Sequence, residues 1–90
     1  MGAYNLVILT TAEHDFNNID NPYKPRIERA IDNLGELPFP RGSRPIKERR
    51  GFFRIRVGKY RIIYSFKNLT QTVNIRHVRL RDKHTYEGLK

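Results

Sequence analysis

The sequence predicts an α+β domain: two N-terminal helices packed on one face of a small, mostly antiparallel four-stranded sheet, in the order β-α-α-β-β-β. Three observations predict it. Apolar residues run almost unbroken through residues 4–9, step by three and four through residues 11–37, and adopt a period of two from residue 52 to residue 81. The last three strand segments are separated only by Gly58-Lys59 and by residues 68–71, and connections that short join antiparallel neighbours. Ninety residues, finally, hide only about 60–65% of the unfolded chain's surface, enough for one sheet and one helix layer but not for two cores. Residues 1–90 therefore read as a single domain.

The first strand, Tyr4 to Leu9 (YNLVIL), is apolar on both faces, so it is expected to be central or covered on both sides. Thr10 followed by Glu13 has the spacing of a capping box, and Ala12, Phe16 and Ile19 give a short helix over residues 11–19. In PRIERAIDNLGEL the positions Ile27, Ala30, Ile31, Leu34 and Leu37 form one apolar stripe, which predicts the second helix. The segment PFPRGSRPIKERRG is read as a basic loop without regular structure, because its prolines and glycines interrupt any ladder or helix.

Gly58-Lys59 then forms the two-residue loop of a hairpin, with glycine first as a type II′ turn requires, so that Val57 pairs with Tyr60 and Arg56 faces Arg61. Phe53, Ile55, Val57, Tyr60, Ile62, Tyr64 and Phe66 point to the core, while Arg54, Arg56, Arg61, Ile63 and Ser65 point away. In the last strand (TVNIRHVRLR) the apolar set changes phase around Arg76 and His77, which predicts a bulge of one residue there. With it, Val73, Ile75, Val78 and Leu80 face the core; Asn74, Arg76, Arg79 and Arg81 share the face of the hairpin arginines. The tail, DKHTYEGLK, is read as one helical turn over the sheet edge.

The net charge of +9 is segregated: residues 1–40 hold three basic and six acidic side chains, net −3, and residues 41–90 hold fifteen and three, net +12. Such a distribution favours a polyanionic partner over a merely soluble surface. The absence of cysteine excludes disulfides and thiolate metal sites, and the longest aliphatic run, Leu6 to Leu9, is too short for a membrane span. A soluble protein of the cytoplasm, with no membrane partner, is the expectation.

Like charges set directly opposite on a ladder cost about 0.2–1 kcal/mol relative to a neutral pair. Arg56 against Arg61, with Arg54 two residues along, makes sense as a phosphate cradle completed by Arg76, Arg79 and Arg81 and flanked by Lys59 at the turn. Arginine is the suitable side chain, because its planar fork donates to two phosphate oxygens at once and does not titrate. A flat sheet face with aromatic neighbours suits single-stranded RNA better than a duplex groove, and the basic residues lie on strands and loops where DNA readers would present a helix.

FRIRVGKYRIIY, the amphipathic helix ending in LGELP, the first strand YNLVIL and a tail in which Arg81 precedes Tyr86 resemble, as an ordered set running from about Tyr4 to Leu89, the RelE/ParE superfamily of bacterial type II toxins. The resemblance implies the RelE-like fold and, in the RelE branch, a ribosome-dependent endoribonuclease that cleaves messenger RNA and is held inactive by an acidic antitoxin. In the ParE branch it implies a non-enzymatic inhibitor of DNA gyrase. Position by position, Arg54 and Arg56 match the basic pair of the second strand, Arg61 the arginine of the YRIIY motif, Arg81 the late-strand arginine, and Tyr86 the tail tyrosine.

A metal-independent nuclease of this kind uses the substrate's own 2′-OH against the neighbouring phosphate, so it needs cations for the phosphorane and proton transfer at two oxygens. Arginine serves only the first need. Relatives with lysine at the positions of Arg54 and Arg56 have another option; here Tyr86, whose phenolate nearby guanidiniums would favour, and His84, unperturbed near neutral pH, are the candidates for the second. His14 and His77 are assigned structural or solvent-facing roles. The three histidines lack metal-site spacing, and Gly-rich phosphate loops and Mg²⁺-binding carboxylate clusters are missing, so no cofactor and no metal are expected. The reading is a ribosome-dependent nuclease with catalytic Arg61, Arg81, Tyr86 and His84; its alternatives are a gyrase inhibitor and a basic RNA-binding module without catalysis.

Overall fold

The computed structural model describes residues 3–80. In chain order the elements are β1 (Asn5–Ile8), α1 (Thr10–Asn17), α2 (Tyr23–Glu36), β2 (Arg44–Pro45), β3 (Phe52–Val57), β4 (Tyr60–Lys67) and β5 (Thr72–Leu80). They form one mixed sheet ordered β1-β5-β4-β3-β2, in which only the β1–β5 pair is parallel. The α+β architecture with both helices against one face is as the sequence predicts, with one strand more.

That strand, β2, lies inside the segment expected to be a structureless loop. Arg44 pairs with Arg54 and Pro45 with Phe53. Proline is tolerated because β2 is an edge, where its missing N–H leaves no ladder partner unsatisfied.

β1 also departs from expectation, for it is the opposite edge, and Val7 and Ile8 are 41% and 44% exposed. Its apolar run signals burial of Leu6 against α2 rather than coverage on both faces. Beyond Ile8 the free edge of β5 is taken over by α1: Leu9 N–H donates to the Ile75 carbonyl (3.0 Å), the Thr11 hydroxyl to the Arg76 carbonyl (2.7 Å), and Val78 N–H to the Asp15 carboxylate (3.0 Å). A helix thus satisfies backbone groups that a strand would otherwise pair. The expected capping box is not made; α1 begins after Leu9, which has no side-chain cap.

The main core joins Ala12 and Ile19 of the α1 region, Ile27, Ile31 and Leu34 of α2, and Val57, Ile62, Tyr64, Val73, Ile75 and Val78 of the sheet. Leu37, placed by its spacing on the buried stripe, lies just past α2 and is 54% exposed. At one end of the sheet Phe39 stacks edge-on against Phe53 and Phe66, with ring centroids 4.8 and 5.3 Å apart. Buried Tyr64 donates its hydroxyl to the Pro38 carbonyl at 2.6 Å, and burial pushes its pKa up to about 12. It is a neutral structural tyrosine that ties the loop after α2 to the sheet.

Candidate nucleic-acid interface

The hairpin register is the predicted one: Val57 pairs with Tyr60, and Arg56 with Arg61. Gly58, at φ +60°, supplies the left-handed conformation the turn needs, and a Cβ there would sit 2.6 Å from the Tyr23 ring. The register continues into β5, where Arg61 pairs with Arg79. Arg56, Arg61 and Arg79 therefore form one rank across three neighbouring strands, with side chains on the face opposite the helices. The next rank on that face is Arg54, Ile63 and His77, and β2 adds Arg44 beside Arg54.

The bulge of β5 lies where the alternation fails. Ile63 pairs with His77 but Tyr64 with Ile75, leaving Arg76 as the extra residue. It returns Ile75 and Val73 to the core face, as the apolar pattern demands. Leu80 keeps that side, opposite Tyr60, but at 50% exposure it lies beyond the helix cover. Arg76 turns to the arginine face, where its guanidinium lies 4.7 Å from the Phe52 ring centroid and donates to Ser65 Oγ at 3.2 Å. Arg49 covers the same ring at 5.1 Å. Phe52 itself packs with Ile46 and Ile63 in a second, small apolar cluster. The cationic face, on which the sequence already places Ile63, therefore has an apolar floor at one end, because the segment after β2 folds beneath it and supplies Ile46.

His77 is half-buried between charges of both signs. Arg79 Nη2 lies 3.2 Å from His77 Nδ1. The Asp15 carboxylate is 3.5 Å from the same nitrogen while accepting from Val78 N–H. Burial, and then the charge of Arg79, hold the His77 pKa below its ordinary value; the attraction of Asp15 is the weaker opposing influence. His77 thus sits half-buried between Arg79 and Asp15, within reach of both.

A groove of about 410 Å³ on the helix side is bordered by Ile8, Phe16, Glu13, Glu28 and Asp32, the wrong sign for a phosphate. The cleft of the right sign, about 370 Å³, opens at the β2–β3 edge between Arg41, Arg44, Arg54 and Arg56.

Residues 6–84 match the family described as ParE toxin of the type II toxin–antitoxin system parDE. The chain belongs to this family of toxins, within the RelE/ParE superfamily. No curated protein sequence matches it. Among solved structures, the toxin resembles the RelBE2 toxin–antitoxin complex of Mycobacterium tuberculosis, at 30% identity and TM-score 0.66 over 87% of this chain and 98% of that one. It shares its fold with the archaeal RelE–RelB complex of Pyrococcus horikoshii (21% identity, TM-score 0.76, 89% and 97% covered) and with isolated Escherichia coli RelE (14%, 0.75, 90% and 87%).

Of the residues singled out from the toxin's sequence, the fold brings Arg54, Arg56, Arg61 and Arg79 onto one face, with Arg76 beside them on Phe52. Lys59 stands apart: its ammonium lies 5.4 Å over the Tyr23 ring on the helix side, because the turn projects it toward α2. Arg81, His84 and Tyr86 lie outside the described residues. Sequence reasoning missed Arg41 and Arg44. The signal was Arg44 and Ile46 at strand spacing around Pro45, outweighed by the loop-forming residues on either side.

Proposed function

We propose that this toxin is a ribosome-dependent endoribonuclease that cuts messenger RNA by metal-independent attack of the substrate's own 2′-OH. The observation that carries the reading is the three-strand rank Arg56–Arg61–Arg79, in which neighbouring ladder positions are all cationic. Guanidiniums gathered on one face suit a ligand that presents negative charge, and a phosphodiester does so with oxygens that the planar fork matches.

In the step, the 2′-oxygen forms a bond to phosphorus, the bond from phosphorus to the 5′-oxygen breaks, one proton leaves the 2′-OH and one reaches the departing 5′-oxygen. Arg61, with Arg54 and Arg56, holds the non-bridging oxygens as negative charge accumulates, each well-aimed donor contributing about 10²–10³ in rate. The resemblance to the superfamily adds Arg81 to this set. It also makes Tyr86 the group that moves protons or stacks on a base, and His84 is the second candidate for proton transfer. An acidic antitoxin is the proposed inhibitory partner: it would neutralise the same face, and several solved relatives are complexes with RelB.

The family's ParE description favours a second reading, inhibition of DNA gyrase without catalysis. Inducing the toxin and mapping new 5′ ends separates the two. Cuts in translated messages, absent without ribosomes, support the nuclease. Loss of supercoiling with intact messages overturns it in favour of gyrase, and neither effect alongside retained RNA affinity leaves a binding module. Tyr86→Phe tests the tail: growth arrest lost with RNA affinity kept identifies Tyr86 as catalytic, and arrest unchanged removes it from the mechanism.

A further inference from the structure

The cleft at the β2–β3 edge shares Arg56 with the Arg56–Arg61–Arg79 rank and extends beyond it to Arg41 and Arg44. Register sets Arg44 directly opposite Arg54, a second like-charge pair on the ladder, and it does so on a strand of only two residues. Such a pair opposes strand formation by about 0.2–1 kcal/mol, and β2 has few ladder bonds to offset it. Arg41 adds a third guanidinium across the opening and Arg56 a fourth. Arg41 and Arg44 are exposed, and no carboxylate of the described residues forms an ion pair with either. The volume of about 370 Å³ falls at the lower end of ligand pockets, about 300–1,000 Å³, but its lining selects an anion where most pockets are apolar.

Extent decides the kind of anion. From β2 to β5 is three ladder steps, about 14 Å at about 4.8 Å per step. The cleft and the rank share Arg56 and are flanked by Arg54, so one ligand can engage both only if it carries several phosphates along an extended line. A lone phosphate or a mononucleotide does not span them.

We propose that Arg41 and Arg44 form a backbone subsite that holds a phosphate of the RNA strand outside the bond being cut, so that the substrate runs from the β2–β3 edge onto the Arg56–Arg61–Arg79 rank. This rests on the nuclease reading and extends it: Arg41 and Arg44 bind the strand and take no part in the chemistry. A contact of this type reads no base, so its contribution is the same for every sequence and weakens steadily as salt rises.

The test uses a short labelled single-stranded oligoribonucleotide, its 2′-oxygens methylated so that it cannot be cut, and fluorescence anisotropy over a series of salt concentrations. Each phosphate contact on a single strand contributes about 0.7 to the slope of log K against log salt. Arg41→Ala with Arg44→Ala flattens the slope by about 0.7–1.4, on oligonucleotides of different sequence alike. The control is Arg29→Ala with Lys67→Ala, two exposed positions outside the cleft that lose the same charge; it flattens the slope far less. Equal flattening by both double variants overturns the subsite, because the effect is then total charge and not place. In a ribosome-coupled assay the Arg41/Arg44 variant raises KM for message and leaves kcat near that of the wild type; a fall in kcat alone also overturns it. If the wild-type toxin cuts no message, the nuclease reading fails by itself, and the anisotropy comparison, which needs no ribosome, still decides whether the cleft holds RNA.

Discussion

The two faces of this sheet come from the same strands and obey opposite rules. Toward the helices, cross-strand neighbours are Ile62 with Ile55 and Val78, and Tyr64 with Phe53 and Ile75. One residue along, the same ladders set Arg56 against Arg61 and Arg61 against Arg79. Full burial of an isoleucine such as Ile62 stabilises by about 1.5–3 kcal/mol, while each opposed arginine pair costs about 0.2–1 kcal/mol. The helix-side face therefore holds the ladder in register against the repulsion on the other. In a period-two segment, alternate residues are free to serve stability and binding separately, and the proposed function would use the hairpin in that way.

The largest effects should divide cleanly between the faces. Ile62→Ala removes a fully buried side chain from the middle of β4 and is expected to cost about 2–5 kcal/mol, a large share of the roughly 5–13 kcal/mol that holds a domain of this size folded. Urea denaturation measures it; a loss below about 1 kcal/mol would mean that the helix-side core does not hold the sheet. Arg61→Gln, one residue away on the arginine face, is expected to lower ribosome-coupled message cutting by about 10²–10³ while moving the unfolding midpoint far less than Ile62→Ala does. Cutting that survives this substitution removes Arg61 from the mechanism and breaks the division of labour.

How much of this was legible in the sequence follows from the range of the forces involved. The hairpin register is a local matter, settled by Gly58-Lys59 and the alternation on either side, and the bulge at Arg76 could be read because the apolar set changes phase there. β1's place at the edge could not be read, because its apolar run records burial against α2 and leaves open what lies on its far side. β2 was hidden for another reason: two residues around a proline carry no periodicity, and only the long-range pairing with Phe53 and Arg54 makes them a strand. The Arg56–Arg61 pair was visible from the hairpin register and Arg79 from the alternation of the last strand, but the pairing of Arg61 with Arg79 was not. The apolar floor of Ile46, Phe52 and Ile63 and the Arg41–Arg44 cleft depend on how the segment after α2 folds back, which no local pattern encodes.

Acid should loosen the link between the two faces at His77. This imidazole is reached by Arg79 and Arg76 from the arginine face and by Asp15 from α1, and its folded pKa is lowered, so the unfolded chain binds the proton more readily. The sign follows: the His77 contribution is complete above about 6.5, its ordinary value, and is lost as pH falls toward the lowered folded value. Thermal unfolding across that window should show a decline that His77→Asn flattens, since asparagine keeps an acceptor for Arg79 and does not titrate there. A decline unchanged by the substitution would assign it to the carboxylates.

The smallest effect is the most specific to the comparison. Arg56 is exposed and lies opposite Arg61, so Arg56→Gln removes a like-charge pair while leaving the β-hairpin ladder intact. Where repulsion by Arg61 outweighs the other contact that Arg56 makes, stability rises by about 0.2–1 kcal/mol, and by more at low ionic strength, where the screening length grows from about 10 Å at 0.1 M salt to about 30 Å at 0.01 M. RNA affinity should fall in the same variant. Few substitutions improve one property and damage the other, and here both effects grow as salt falls, so urea midpoints and anisotropy measured on one preparation at both salt concentrations carry the test. A variant that loses stability as well as affinity would show that Arg56 holds the sheet together, and that the arginine face is not maintained against its own repulsion for the sake of a ligand.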